Sequence, residues 1–191
     1  MIRAVLPATL LLLSGGQSRR MGSPKALLPV GGTTLLAWLI ERLGDAFPEV
    51  LVSANDGLLV PDGVRMIRDR RPGGLGPLAG VEAGLAAAGN DALVVVACDM
   101  PRVTVELLER LIGLSEGHDA AVPRLGGRPE PACACYRRSA AWTIGAALDR
   151  GRLKAASALD ELDVAWLDDV DRKLFWNINA PKDYQLFLSA R

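Results

Sequence analysis

LLLLSGGQSRRMGSPKALL, residues 10–28, decides how the rest of the chain is read. Four consecutive leucines mark a strand buried on both faces of a sheet, expected over residues 9–13. The strand runs directly into Gly15 and Gly16, and then into Arg19, Arg20 and Lys25. A glycine pair lets backbone approach a ligand closely, with its N–H groups free to point at an anion. Arg19 adds a planar fork for phosphate oxygens, and Lys25 adds a mobile point charge. The plainer alternative is a solvated basic loop. The combination of buried strand, glycine pair and cations favours an anion site. It is neither of the two common phosphate fingerprints. Gly16 and Gly22 are one residue too far apart for a P-loop, Ser23 stands where that loop needs Lys, and G-x-G-x-x-G is missing.

Outward from this stretch, strands alternate with helices. Residues 33–47 read as an amphipathic helix with Thr33 as its cap, and residues 49–55 and 64–69 as strands. Residues 76–89 form a small-residue helix after a Gly-rich turn, and 91–101 the clearest buried strand, closed by Pro101. Residues 104–117 follow as a helix capped by Thr104. Residues 119–123 and 131–137 read as strands around a polar turn, an antiparallel pair within a mixed sheet. A helix over 139–151 stops at Gly151, residues 163–168 form a short strand, and Pro181 opens a final helix. This alternation predicts an α/β fold: a mostly parallel, mixed sheet covered on both faces, in one domain spanning residues 1–191.

Composition excludes several functions. The 22 Lys and Arg balance the 22 Asp and Glu, so no global charge argues for nucleic acid or an anionic membrane. No apolar run approaches the ~20 residues of a membrane span. The apolar start resembles a secretory signal but has no A-x-A site, and it supports the loop as a strand. Cys98, Cys133 and Cys135 are odd in number and unsuited to a zinc site, since His118 is the single histidine. They read as reduced buried thiols in a cytoplasmic protein. One histidine also leaves no Ser/His/Asp or Cys/His nucleophile.

In open α/β sheets, ligands bind beyond the carboxyl ends of the strands. That rule selects the loop after Leu13, then Asn55, Asp69 and Asp99, which should converge on one cleft. A carboxylate at Asp99 would repel phosphates unless a cation lay between, and Mg²⁺ is the expected mediator; the alternative is an Asp bonding turn backbone before Pro101. Asn55 and Asp69 are also compatible with ordinary turns. Gly73, Gly74, Gly76 and Gly80 around Pro77 would let a substrate lie against a helix N-terminus, or would form a surface loop. Asn177 and Asn179, two apart on an extended segment, share a side and can read a polar ligand, unless Asn179 caps the last helix.

These residues resemble a known family. LSGGQSRRMGSPKALLPVGG is similar to the nucleotidyltransferase signature L-x-G-G-x-S-x-R-M-G-x-x-K-x-L-L. GPLAGVEAGL, ACDMP, GRPEPACACY and NINAPKDY follow in the order of the molybdenum cofactor guanylyltransferases, the molybdopterin-guanine dinucleotide biosynthesis protein A family. The resemblance implies a Rossmann-like three-layer sandwich of the nucleotide-diphospho-sugar transferase type. It implies transfer of GMP from GTP to molybdenum-bound molybdopterin, with release of pyrophosphate. Carried over by position, Leu13, Ser14, Gly15 and Gly16 touch the nucleotide, Lys25 binds phosphate with Arg19 beside it, and Asn55 and Asp69 contact the nucleoside. Asp99 holds Mg²⁺, and Gly80, Asn177 and Asn179 lie toward the pterin. One departure is Pro24, where the family often has Asp before the signature lysine; it loosens the choice of nucleotide. A cytidylyltransferase, a sugar-1-phosphate nucleotidyltransferase and a non-catalytic GTP-binding regulator are the rival readings. A monomer is expected, with hand-over of product to a molybdoenzyme or its chaperone, and with no nucleic acid or membrane partner.

Overall fold

The computed structural model describes residues 5–14, 24–54, 58–71 and 75–190. In chain order the strands are β1 (Ala8–Leu13), β2 (Pro29–Val30), β3 (Thr33–Thr34), β4 (Glu49–Ser53) and β5 (Arg65–Ile67). They continue with β6 (Ala92–Ala97), β7 (Ala120–Leu125), β8 (Arg128–Pro129), β9 (Cys133–Arg137) and β10 (Val164–Leu167). The helices are α1 (Leu35–Leu43), α2 (Pro77–Ala87), α3 (Val105–Leu114), α4 (Ala140–Asp149), α5 (Ala155–Ala158) and α6 (Pro181–Ser189).

The main sheet runs β10-β7-β9-β6-β1-β4-β5, with β8 paired to β7. Parallel pairing joins β6, β1, β4 and β5, and also β7 and β10. Only β9, among the strands on that path, runs against its neighbours, slotted between β6 and β7. The expected mixed, mostly parallel sheet is therefore present. The antiparallel element is a hairpin whose returning strand enters the middle of the sheet.

Burial on both faces explains the apolar runs. Leu10 and Leu12 face a core shared with α1, α3 and α6, whereas Leu11 and Leu13 face the core under α2 and α4. All six residues of β1 are buried. On the second face α2 lies very close to the sheet, because Gly84 has no side chain to collide with Leu11 and Leu93. Thr104 caps α3, accepting from Leu107 N, and α6 begins at Pro181, as the sequence predicts. Gly151, at φ 74°, follows the end of α4.

One local expectation is corrected. The cap of α1 is Thr34, whose hydroxyl accepts from Ala37 N at 3.2 Å, and not Thr33. Gly31 and Gly32, at φ 55° and 87°, make a tight turn that pairs Thr33 with Val30, so the helix starts one residue later. Helix α1 ends at Leu43 with Gly44 at its C-cap, in keeping with a glycine expected near its end, and residues 44–46 continue as a 3-10 turn. Helix α5 had no counterpart in the sequence reading.

At the amino edge of the sheet Glu49 ties three elements together. It accepts from the Thr9 hydroxyl at 2.6 Å, from Gly89 N at 2.8 Å and from Arg65 at 2.6 Å. Burial alone would raise its pKa, but the Thr9 and Gly89 hydrogen bonds and the Arg65 charge outweigh that and hold it below the ordinary 4.5. Its stabilisation is thus complete above that value and is lost as pH falls through the lowered one. Glu49→Gln is expected to cost about 1–2 kcal/mol at pH 7. Urea unfolding from pH 7 down to pH 3 should show the gap between wild type and variant closing. A constant gap would mean that Glu49 does not titrate with folding.

Candidate active site

The register of the parallel strands builds the site. Leu13 stands opposite both Ala97 and Ser53, and Ser53 opposite Ile67, so four strands end on one line. Backbone bonds extend that line by one residue: Cys98 N donates to Leu13 O, Ser14 N to Ser53 O, and Ala54 N to Ile67 O. Beyond it lie Asp99 from β6 and Asp69 from β5, three strand spacings apart, or roughly 14 Å. A nucleotide laid across the edge would span that interval.

At the β6 end, Lys25 Nζ donates to Asp99 Oδ2 at 2.7 Å and to Asn179 Oδ1 at 3.0 Å. Three distant parts of the chain thus meet at one ammonium group. Lys25 opens a 3-10 turn after Pro24, and this turn is anchored by buried Ala26. Asp99 follows buried β6, and its turn is closed by Met100 N donating to Ala97 O. Asn179 is brought in by the segment before α6, which docks on Asp99 through Ile178 N donating to Asp99 O at 2.9 Å. Arg102 stacks over the Trp176 ring at 4.8 Å and fastens the same segment. Helix α6 is itself held by Trp38 against Phe187, edge to face at 5.2 Å, and by the Tyr184 hydroxyl donating to Pro29 O.

Asn179 does not cap α6. Ala180 occupies the cap position, and Asp183 Oδ2 accepts from the backbone N–H groups of both Asn179 and Ala180. The Asn179 side chain is therefore available to Lys25. Asn177, by contrast, donates to Phe175 O in its own turn, so the two asparagines are not used alike. Gly80 is buried, and a Cβ there would meet Leu13 Cδ2 at 2.7 Å and Ser53 Oγ at 3.0 Å. Its bareness lets α2 press against the strand ends. Gly15, Gly16, Arg19 and Asn55 lie outside the described residues, as do Gly73 and Gly74.

The electrostatics limit the chemistry. Burial, and then the Asp99 charge, push the Cys98 thiol up to about 12, which makes it inert as a nucleophile. All three cysteines are buried and free of disulfides. His118 pairs with Asp163 at 3.0 Å beside a hollow of about 530 Å³ at the opposite edge of the sheet. Of the acids there, Asp91 is taken up by Arg137 and Asp119 by Ser139, and the hollow lies at the amino edge of the sheet, away from the strand ends that carry Asp99.

Glu130 was missed by the sequence reading. It enters the site because β9 is antiparallel: Ala132 O accepts from Ala97 N, placing the turn before β9 beside Asp99. Burial, and then the Asp99 charge, raise its pKa above the ordinary glutamate range. The signal was an acid set between Pro129 and Pro131 just ahead of a buried strand. A divalent cation finds no cluster of three acidic, His or Cys ligands among the described residues. The donors at hand are oxygens, chiefly Asp99, whose Oδ2 already holds a cation in the Lys25 ammonium. That donor set suits Mg²⁺, which takes one or two carboxylates, substrate phosphates and waters. Ser14 Oγ is buried and makes no hydrogen bond among the described residues, at the point where β1 ends.

Comparison with known proteins agrees with this fold. Residues 10–165 match the MobA-like NTP transferase domain. The chain is 40% identical over 179 residues to the molybdenum cofactor guanylyltransferase of Cereibacter sphaeroides, covering 91% of each chain. It is 36% identical over 190 residues to the probable molybdenum cofactor guanylyltransferase of Pelotomaculum thermopropionicum, covering 94% of this chain and 91% of that one. The crystal structure of molybdopterin-guanine dinucleotide biosynthesis protein A from Archaeoglobus fulgidus superposes with a TM-score of 0.80 at 29% identity, over 95% and 97% of the two chains.

If Gly80 acts by close approach, Gly80→Val should cost about 1–3 kcal/mol. Gly113→Ala, where an added Cβ meets nothing within 4 Å, should be neutral or stabilising. Thermal melts of the two variants check this; an unaffected Gly80→Val would mean that α2 relaxes freely off the sheet.

Proposed function

The chain belongs to the MobA-like NTP transferase family, and on that premise we propose that it transfers GMP from GTP to molybdenum-bound molybdopterin. The observation that carries this reading is the meeting of Lys25, Asp99 and Asn179 at the carboxyl edge of the parallel sheet. The names of its relatives supply the substrates. The geometry places Lys25, a cation that phosphate can use, at the strand ends.

The step is an in-line displacement at the α-phosphorus. A terminal phosphate oxygen of molybdopterin forms a new bond to Pα, the bond from Pα to the bridging oxygen of the β-phosphate breaks, and pyrophosphate leaves. That nucleophile is already an anion near neutral pH, so no strong general base is needed. This suits a site whose neighbouring thiol is pushed up to about 12 and whose lone histidine sits at the far edge of the sheet. Leu13 and Ser14 lie where the nucleotide would cross β1, and the Ser14 hydroxyl, which has no hydrogen bond among the described residues, gains a use there. Gly15 and Gly16 would offer backbone N–H groups, and Lys25 and Arg19 would neutralise the departing phosphates. Asn55 and Asp69, beyond β4 and β5, are assigned to the nucleoside. Asp99 is the ligand for Mg²⁺, which when bound supplies positive charge to the phosphates. Asn177 is assigned to the pterin side.

The protein is read as a cytoplasmic monomer that passes its product to a molybdoenzyme or its chaperone. Three buried, unpaired cysteines suit a reducing compartment. Among the described residues no helix is long and apolar enough to cross a membrane.

Thermal stabilisation by GTP, CTP, ATP and UTP, with and without Mg²⁺, tests the assignment first, since a ligand raises apparent stability by mass action. The expected result is a GTP-selective shift that Mg²⁺ enlarges. Selectivity for CTP would move the reading to a cytidylyltransferase. Asp99→Ala is expected to remain folded and to lose at least about 100-fold in kcat. Near-wild-type turnover in that variant would remove Asp99 from the metal.

A further inference from the structure

Two groups assigned to different ligands are bonded to each other. Lys25 is assigned to phosphate and Asp99 to the metal, yet the structure pairs them at 2.7 Å, with side chains only 18% and 22% exposed. While this contact stands, a divalent ion at Asp99 would have an ammonium for a neighbour, and Lys25 would have one oxygen of Asp99 among its acceptors. We propose that Lys25 is a place-holding counter-cation: its ammonium covers Asp99 until a nucleotide draws it away, so the divalent ion enters with the nucleotide and not before it. This rests on the reading of Asp99 as the metal ligand.

The construction of the contact supports such an exchange. Oδ2 of Asp99 accepts the ammonium, and a divalent ion placed on the same oxygen would face an unscreened positive neighbour. Asn179 gives Nζ a second acceptor at 3.0 Å, on a segment pinned independently by Ile178 and Trp176. Asn179 is thus a positioning residue that acts through Lys25. The lysine reaches this point on a flexible four-carbon stem from the 3-10 turn after Pro24, so it can turn toward phosphate without moving the backbone. Phosphate oxygens are the one partner in the reaction that competes for an ammonium and brings a cation of its own. The cover also has a structural purpose. Glu130 faces the Asp99 charge from the turn before β9, and Lys25 offsets the repulsion between the two acids.

The test measures Mn²⁺ binding to the full chain without nucleotide, using the electron paramagnetic resonance signal of the free ion, in wild type, Lys25→Met and Asp99→Asn. Lys25→Met should bind Mn²⁺ about tenfold more tightly than wild type, and Asp99→Asn should not bind it. Unchanged or weaker binding by Lys25→Met, or none in either protein at millimolar Mn²⁺, overturns the proposal, and the metal role of Asp99 is then judged by the turnover of Asp99→Ala. Retention of Mn²⁺ by Asp99→Asn removes the metal role and the proposal together. A measurement on the wild-type protein guards against a misfolded variant. The ammonium proton–nitrogen resonance of Lys25, identified by its loss in Lys25→Met, should stay in place with Mg²⁺ alone and move when GTP is added with it. A resonance that stays put in Mg²⁺ and GTP, or that moves with Mg²⁺ alone, overturns the exchange.

Discussion

The alignment of four parallel strand ends at Leu13 is the constraint on which the rest depends. Leu13 stands opposite Ser53 on one side and Ala97 on the other, and its carbonyl accepts from Cys98 N. A shift of one residue in either ladder would turn Asp99 or Ser14 to the other face, because side chains alternate along a strand. The register is fixed by burial. Leu10 and Leu12 must meet the α1 and α3 core, and Leu11 and Leu13 the α2 core, so a slip would mismatch both layers at once. Gly80 and Gly84 tighten the same constraint by letting α2 lie directly on the leucines.

Onto that edge the chain brings charges that would be costly if unpaired. Asp99 and Glu130 approach each other because β9 runs antiparallel into the sheet. Lys25 answers Asp99 at 2.7 Å, and the C-terminal segment supplies Asn179 from the other side. Helix α6 is therefore more than a cover for the core. By resting on α1 through Phe187 and on β2 through Tyr184, it carries the Asn179 segment to the strand ends.

Much of the fold was legible in the chain. The runs TLLLL and LVVVA, alternating with amphipathic segments, announced a sheet covered on both faces. The boundary residues Thr104, Gly151 and Pro181 act locally as read. The misreadings arose where a neighbour competed. Thr33 lost the cap to Thr34 because a Gly31–Gly32 turn drew it into a strand pair. Asn179 is a good capping residue type, but the helix begins one residue later with Ala180 at the cap, and Asp183 reaches back to accept from the backbone N–H groups of Asn179 and Ala180. Glu130 lay in a turn with no periodicity to mark it, and its place beside Asp99 exists only once β9 is inserted.

The sequence by itself determined the class of the fold, the edge of the sheet that carries chemistry, and the residue types present there. These follow from local patterns: buried runs, turn residues, and cations after a glycine pair. The tertiary structure alone decided which residues touch. Lys25 meets Asp99 from 74 residues away and Asn179 from 154, distances across which no pattern in the chain carries information about contact. Strand order sets those meetings, and strand order is chosen by how two apolar faces are buried together. Local chemistry named the participants, and the shared burial of the sheet chose their partners.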